Sequence, residues 1–152
     1  MPVRSAVPLP HARILLVDDN AHGLTARKTV LEELGHRIST ASSAADALDQ
    51  FMPSKFDLVV TDYKMPRMNG IELIARLREL VPDLPVILIS GYVDAMGLNE
   101  DSTGADVVIQ KSANEVAHLV RSVNRLLKKK TAKKGMASEG ISPKTLKQTG
   151  RR

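Results

Sequence analysis

The chain has 152 residues, 43% of them apolar and 3% aromatic, no cysteine, and a formal charge of +5. That length fits one domain with a modest tail, and the core must be built from Leu, Ile, Val and Ala. The lack of cysteine excludes a disulfide scaffold, a thiolate metal site and a cysteine nucleophile, and no apolar run forms a signal peptide or reaches the ~18 residues of a membrane span, so a soluble cytoplasmic protein is expected.

The charge is unevenly placed. Residues 128–152 hold nine of the 22 Lys+Arg and one of the 17 Asp+Glu, so they carry +8 and leave −3 on the rest. Residues 1–11, with three prolines and little periodicity, read as a disordered lead-in. Residues 12–128 read as the folded domain. Residues 129–152, rich in Lys, Gly, Ser and Thr, read as a disordered basic tail.

Arg13-Ile14-Leu15-Leu16-Val17 is an apolar run of strand type that ends in Asp18-Asp19-Asn20. Two carboxylates about 4 Å apart repel by roughly 4 kcal/mol at an effective dielectric near 20. A cation or full solvation must offset that, unless one of them merely caps the next helix. Asn20 to Leu34 follows with helical spacing: Leu24, Lys28, Leu31 and Leu34 lie near one stripe, Val30 lies beside it, and Gly35 stops the helix. His36 to Ala41 reads as a short strand. Ser42 or Ser43 caps a helix from Ala44 to about Phe51, which Pro53 ends.

Leu58-Val59-Val60-Thr61 is too short for a helix, and it reads as a buried parallel strand ending at Asp62. The breaker Met65-Pro66-Arg67-Met68-Asn69-Gly70 comes next. A helix is predicted from Ile71 to Val81, with Ile71, Ile74, Leu77 and Val81 buried and Leu73 and Leu80 widening the stripe. Pro85 to Ile89 is a fourth strand, ending in Ser90-Gly91. Val93 to about Glu100 is predicted as a short helix, weakened by Gly97. Val107-Val108-Ile109 is a fifth strand running into Gln110-Lys111. Ala113 to about Lys130 closes the domain as a helix with Val116, Leu119, Val120, Val123 and Leu127 turned inward. Five strands alternating with five helices predict an α/β fold, a three-layer α/β/α sandwich around a parallel sheet with right-handed crossovers.

In a parallel sheet all strand ends share one edge, where reactive groups gather. Here that edge collects Asp18, Asp19, Asp62, Ser90 and Lys111: three carboxylates, one hydroxyl and one ammonium. This set suits phosphoryl transfer to a carboxylate, with Asp62 as the nucleophile. A hard divalent cation, Mg²⁺ foremost, would offset the carboxylate repulsion. Lys111 would pair with Asp62 at rest and with a phosphoryl oxygen afterwards, and Ser90 would donate to another phosphoryl oxygen.

The Asp-Asp pair, the Asp followed by Met65-Pro66-x-Met68-Asn69-Gly70, Ser90-Gly91 and Lys111 together resemble the receiver domain of the bacterial response-regulator family, over about residues 12–128. The resemblance implies a flavodoxin-like strand order, 2-1-3-4-5, with Asp62 as phosphoacceptor. It implies that Asp19 binds Mg²⁺ directly, that Asp18 binds it through water, and that Lys64 adds its backbone carbonyl. A phosphohistidine on a sensor histidine kinase or a phosphotransfer protein would be the donor. Output would pass through a downstream protein contact or a phosphate relay, and phosphorylated receivers often form homodimers. The domain would be no enzyme beyond assisting its own phosphorylation and dephosphorylation.

Two residues depart from the family pattern. Ser112 stands where a cis proline usually follows the lysine, and a non-proline cis bond costs about 2.5–4 kcal/mol. Val108 stands where Tyr or Phe often acts as a rotamer switch, so output would use backbone and loop shifts. Tyr92 is read as a surface residue rather than a substitute for that ring.

Other readings are a phosphorylation-independent binding module and a receiver excised from a hybrid histidine kinase. An aspartate-based phosphatase would need a second acid at the Lys64 position. A nucleotide-binding protein would need a Gly-rich loop where the chain has Asp18-Asp19-Asn20-Ala21-His22-Gly23. About 25 residues after the last helix are too few for an output domain. The tail is read as solubilising rather than as a nucleic-acid contact. His11, His22, His36 and His118 show no metal-ligand spacing and are read as surface or helix residues.

Overall fold

In a computed structural model, which describes residues 11–130, five short strands build one sheet. They are β1 (Arg13–Val17), β2 (Arg37–Ala41), β3 (Leu58–Asp62), β4 (Val86–Ser90) and β5 (Val107–Gln110). All neighbouring pairs are parallel, in the order β2-β1-β3-β4-β5. The expected three-layer α/β/α sandwich and its strand order are therefore present. The lead-in before His11 and the tail beyond residue 130 lie outside the described residues.

Helices connect the strands: α1 (Ala21–Glu33), α2 (Ala44–Gln50), α3 (Gly70–Leu80), α4 (Val93–Met96), α5 (Glu100–Thr103) and, closing the domain, α6 over residues 115–130. β3 and β4 are buried at all five positions, because a central parallel strand is covered on both faces. Their side chains alternate between two cores. Leu15, Val17, Val59 and Leu88 pack with Ala44 and Ala47 of α2 and Leu73, Ile74 and Leu77 of α3. Ile14, Leu16, Val60, Ile87 and Ile109 pack on the other face with Leu31 of α1 and Leu119 and Val123 of α6. Each fully buried Leu or Ile stabilises by roughly 1.5–3 kcal/mol before entropy is charged.

Local signals set the helix ends. Asn20 caps α1 by accepting from Gly23 N–H, and Gly35 ends it at φ +97°. Ser43 caps α2. Asn69 and Glu72 form a reciprocal capping box at the start of α3. Gly70 begins that helix so close to β3 that a Cβ would collide with the Asp62 backbone carbonyl oxygen.

The structure corrects the sequence reading in several places. The helix expected over Val93–Glu100 ends after the single turn α4 at Met96, because Gly97 sits at φ +62° and terminates it, and a second turn, α5, begins at Glu100. Leu80 is 53% exposed and Val116 39% exposed, so neither faces the core. The buried stripe of α3 is Gly70, Leu73, Ile74 and Leu77, which leaves Leu80 on the far side. α6 begins at residue 115 rather than 113, since the preceding residues form a turn. His36 is neither on the surface nor in a helix. It is buried, with Nδ1 accepting from the Ala12 N–H at 3.0 Å.

Candidate functional site

The strand register brings the site together. Val17 lies opposite Thr61, so the next residues, Asp18 and Asp62, emerge side by side at the carboxyl edge. Asp62 in turn pairs with Ile89, which puts Ser90 one residue beyond it on β4. Ser90 pairs with Gln110, which precedes Lys111. Asp18, Asp19 and Asp62 each offer a carboxylate oxygen within 4.8 Å of the other two. Asp18 and Asp62 are buried and Asp19 is exposed. Neither member of the Asp pair caps α1. That role belongs to Asn20, whose own N–H donates to Asp18 Oδ1 at 2.9 Å.

Cations meet two of the three carboxylates. Lys111 Nζ lies 3.0 Å from Asp62 Oδ1. The Lys111–Ser112 peptide is trans, since no cis bond occurs among the described residues, and the lysine still reaches its partner. Ser112 has a local task of its own. Its Oγ accepts from Asn114 N–H and its carbonyl from Glu115 N–H, which starts α6. Burial pushes the Asp62 carboxyl above the usual carboxylate range and the Asp18 charge adds to that, while the hydrogen bond from Lys111 opposes both.

The second cation is one that sequence reasoning missed. Arg27 of α1 is buried, with Nη1 2.7 Å from Asp18 Oδ2 and Nε 2.9 Å from Glu115 Oε2. Burial works against its charge, but hydrogen bonds and charge attraction from the two carboxylates outweigh it and hold its pKa above the ordinary value. Lys28 lies on the expected inward stripe of α1, yet Arg27 and Leu31 are the residues buried there. The available signal was Gly23. A Cβ at that position would meet Asp18 Oδ2 at 3.0 Å and Arg27 Nη1 at 3.4 Å.

Ser90 is buried, and its Oγ accepts from Tyr92 N–H at 2.9 Å. Lys64 is exposed and turns its side chain away, donating from Nζ to Tyr92 Oη at 3.3 Å. Tyr92 is 40% exposed and lies edge-on to Tyr63, as expected of a surface residue. Val108 is half-buried against the α2–α3 core. Three carboxylates converging on a point are a hard-oxygen donor set that fits Mg²⁺ better than a softer metal.

The sequence model described as "Response regulator receiver domain" matches residues 14–124. The chain is 32% identical over 116 residues to the response regulator receiver protein CpdR of Brucella abortus, covering 76% of this chain and 96% of that protein. It is 34% identical over 84 residues to the aerobic respiration control sensor protein ArcB of Escherichia coli, where it spans only 11% of the longer chain. Among solved structures, it superposes on the Thermotoga maritima response regulator TrrA, crystallised in complex with Mg²⁺-BeF, with a TM-score of 0.67. That pair shares 33% identity and covers 75% of this chain and 97% of TrrA. A receiver domain protein from Clostridium thermocellum gives a TM-score of 0.71 at 28% identity, covering 80% and 98%.

Proposed function

Because the chain belongs to the response regulator receiver domain family of two-component signalling, we propose that Asp62 is its phosphoacceptor. The phosphoryl group would come from a phosphohistidine of a sensor histidine kinase or a histidine phosphotransfer protein. The observation that carries this reading is the pairing of buried Asp62 with Lys111 at 3.0 Å, inside a cluster of three carboxylates.

Each residue has a physical task. An Asp62 oxygen forms the new bond to phosphorus as the donor's P–N bond breaks, and the leaving imidazole keeps that electron pair. No base is needed, because a carboxylate is already deprotonated at neutral pH. Lys111 holds the carboxylate in place beforehand and then turns its charge to a phosphoryl oxygen. Ser90 holds its Oγ toward the same edge and offers its O–H to another. Asp19, Asp62 and the Lys64 backbone carbonyl would ligate Mg²⁺, with Asp18 reached through water. The ion's contribution is to neutralise charge as phosphoryl oxygens approach the carboxylates. The phosphorylated form would then act on a downstream protein, as a homodimer, or as a relay. Cytoplasmic location is part of the same proposal. No helix among the described residues is long and apolar enough to cross a membrane.

Incubation with acetyl phosphate and Mg²⁺, read by intact-protein mass spectrometry, tests the assignment. The expected result is a single acid-stable, base-labile phosphoryl adduct, absent in Asp62→Asn and absent with a chelator. An adduct that persists in Asp62→Asn would reject the site. Failure of the wild-type protein to form one would favour a phosphorylation-independent binding module.

A further inference from the structure

The two carboxylates that stand side by side at the strand ends are both tied to one short segment. Asp62 is held by Lys111, which begins that segment. Asp18 is held by Arg27, whose Nε reaches Glu115 in the first turn of α6, four residues after Lys111. Ser112 fastens the residues between through its hydrogen bonds to Asn114 and Glu115. The links form an open chain: Lys111 pairs with Asp62, the backbone from Lys111 leads to Glu115, and Arg27 joins Glu115 to Asp18, which stands beside Asp62. Arg27 is buried, and Glu115 is largely shielded at 16% side-chain exposure, so bulk water screens these links far less than it screens a surface pair. Gly23 leaves the space through which Arg27 reaches Asp18.

We propose that Arg27 is a positioning residue that couples the charge state of the carboxylate cluster to the first turn of α6. The proposal rests on the phosphoacceptor reading above and adds a route of output to it. Arg27 and a divalent cation compete for the negative charge of Asp18. When the cation is bound, Asp18 attracts the guanidinium less and Glu115 attracts it relatively more, so the first turn of α6 responds. Val108 has no ring to swing between rotamers, and the ion-pair path does not pass through it. The lever is a rigid planar fork that engages two carboxylates through different nitrogens, which a lysine does not reproduce.

The test is an amide ¹H–¹⁵N titration of the full chain with Mg²⁺ alone, in wild type, Arg27→Gln, Arg27→Lys and Glu115→Gln. In wild type, amides of Tyr63 and Lys64 and those of Val116, Ala117 and His118 are expected to shift with one common dissociation constant. Arg27→Gln removes the competing cation, so Mg²⁺ should bind at least threefold more tightly while the α6 response disappears. Arg27→Lys restores the charge and should return the dissociation constant to within twofold of wild type, with the α6 response still weakened. Glu115 is more exposed than Arg27, so Glu115→Gln puts folding less at risk, and it should at least halve the α6 shifts while Tyr63 and Lys64 respond as before. Equal α6 shifts in wild type and Glu115→Gln would overturn the coupling. An unchanged dissociation constant in folded Arg27→Gln would overturn the competition. A wild-type protein in which Tyr63 and Lys64 do not respond to Mg²⁺ at all would sink the metal-site reading itself, and the coupling with it.

Discussion

Lys111 and His36 show how single side chains behave at the two ends of the sheet. At the carboxyl edge, Lys111 satisfies an Asp62 carboxylate that burial would otherwise penalise. At the opposite edge, His36 is kept neutral. Burial lowers its pKa below the ordinary value, and the neighbouring His11 adds to that, with ring centroids 6.4 Å apart. Its Nδ1 accepts from the Ala12 N–H, so protonation there breaks a backbone contact. The sign follows directly. The unfolded chain takes up this proton near pH 6.5 and the folded chain only at lower pH, so the stabilisation is complete above about 6.5 and is lost as pH falls through the folded value. Urea midpoints measured from pH 7.5 to 5 should fall across that window. His36→Asn keeps an acceptor for Ala12 but does not titrate, so its midpoint should fall less. Identical slopes would remove His36 from the account.

Among the elements, α3 begins on a reciprocal capping box. Asn69 accepts from Glu72 N–H at 2.9 Å and Glu72 Oε1 accepts from Asn69 N–H at 2.9 Å. Asn69→Ala should cost about 1 kcal/mol of stability, read as a lower denaturant midpoint at unchanged m-value. A loss below about 0.3 kcal/mol would mean that packing against β3 alone holds the helix start. The helix was legible in sequence because Asn69-Gly70, the capping partner Glu72 and a periodic apolar run agree. The segment after β4 was not, because its apolar residues are too few to choose between one helix and two turns. There the left-handed geometry of Gly97 and the cap at Asn99 decide. On α1 the apolar stripe holds at Leu24, Leu31 and Leu34, which pack against the core. Its remaining inward place goes to Arg27 rather than Lys28, because Arg27 finds Asp18 and Glu115.

At the scale of the whole molecule, the sheet presses like charges together at its carboxyl edge, and stability there should depend on a cation. A ligand that binds only the folded state at a hundred times its dissociation constant stabilises by about 2.7 kcal/mol. Thermal unfolding in saturating Mg²⁺ should therefore shift upward, and a chelator should reverse the shift. Equal melting temperatures with and without Mg²⁺ would mean that the folded state does not bind the ion in preference to the unfolded chain, and would count against the metal site. The strands, their alternation with helices, and the gathering of Asp18, Asp19, Asp62, Ser90 and Lys111 at one edge were determined by the sequence alone, because short apolar runs, caps and breakers are local signals. The strand order came from family resemblance rather than periodicity, since neighbours in a sheet are chosen by contacts far apart in the chain. Tertiary structure alone decided three things: that Asp18 is buried while Asp19 is exposed, that Lys111 reaches Asp62 across a trans peptide, and that Arg27 is buried between two acids. The reason is common to all three. A charge enters the interior only where partners from distant segments compensate it, and Asp18, Arg27 and Glu115 lie on three segments that only the folded sheet brings together.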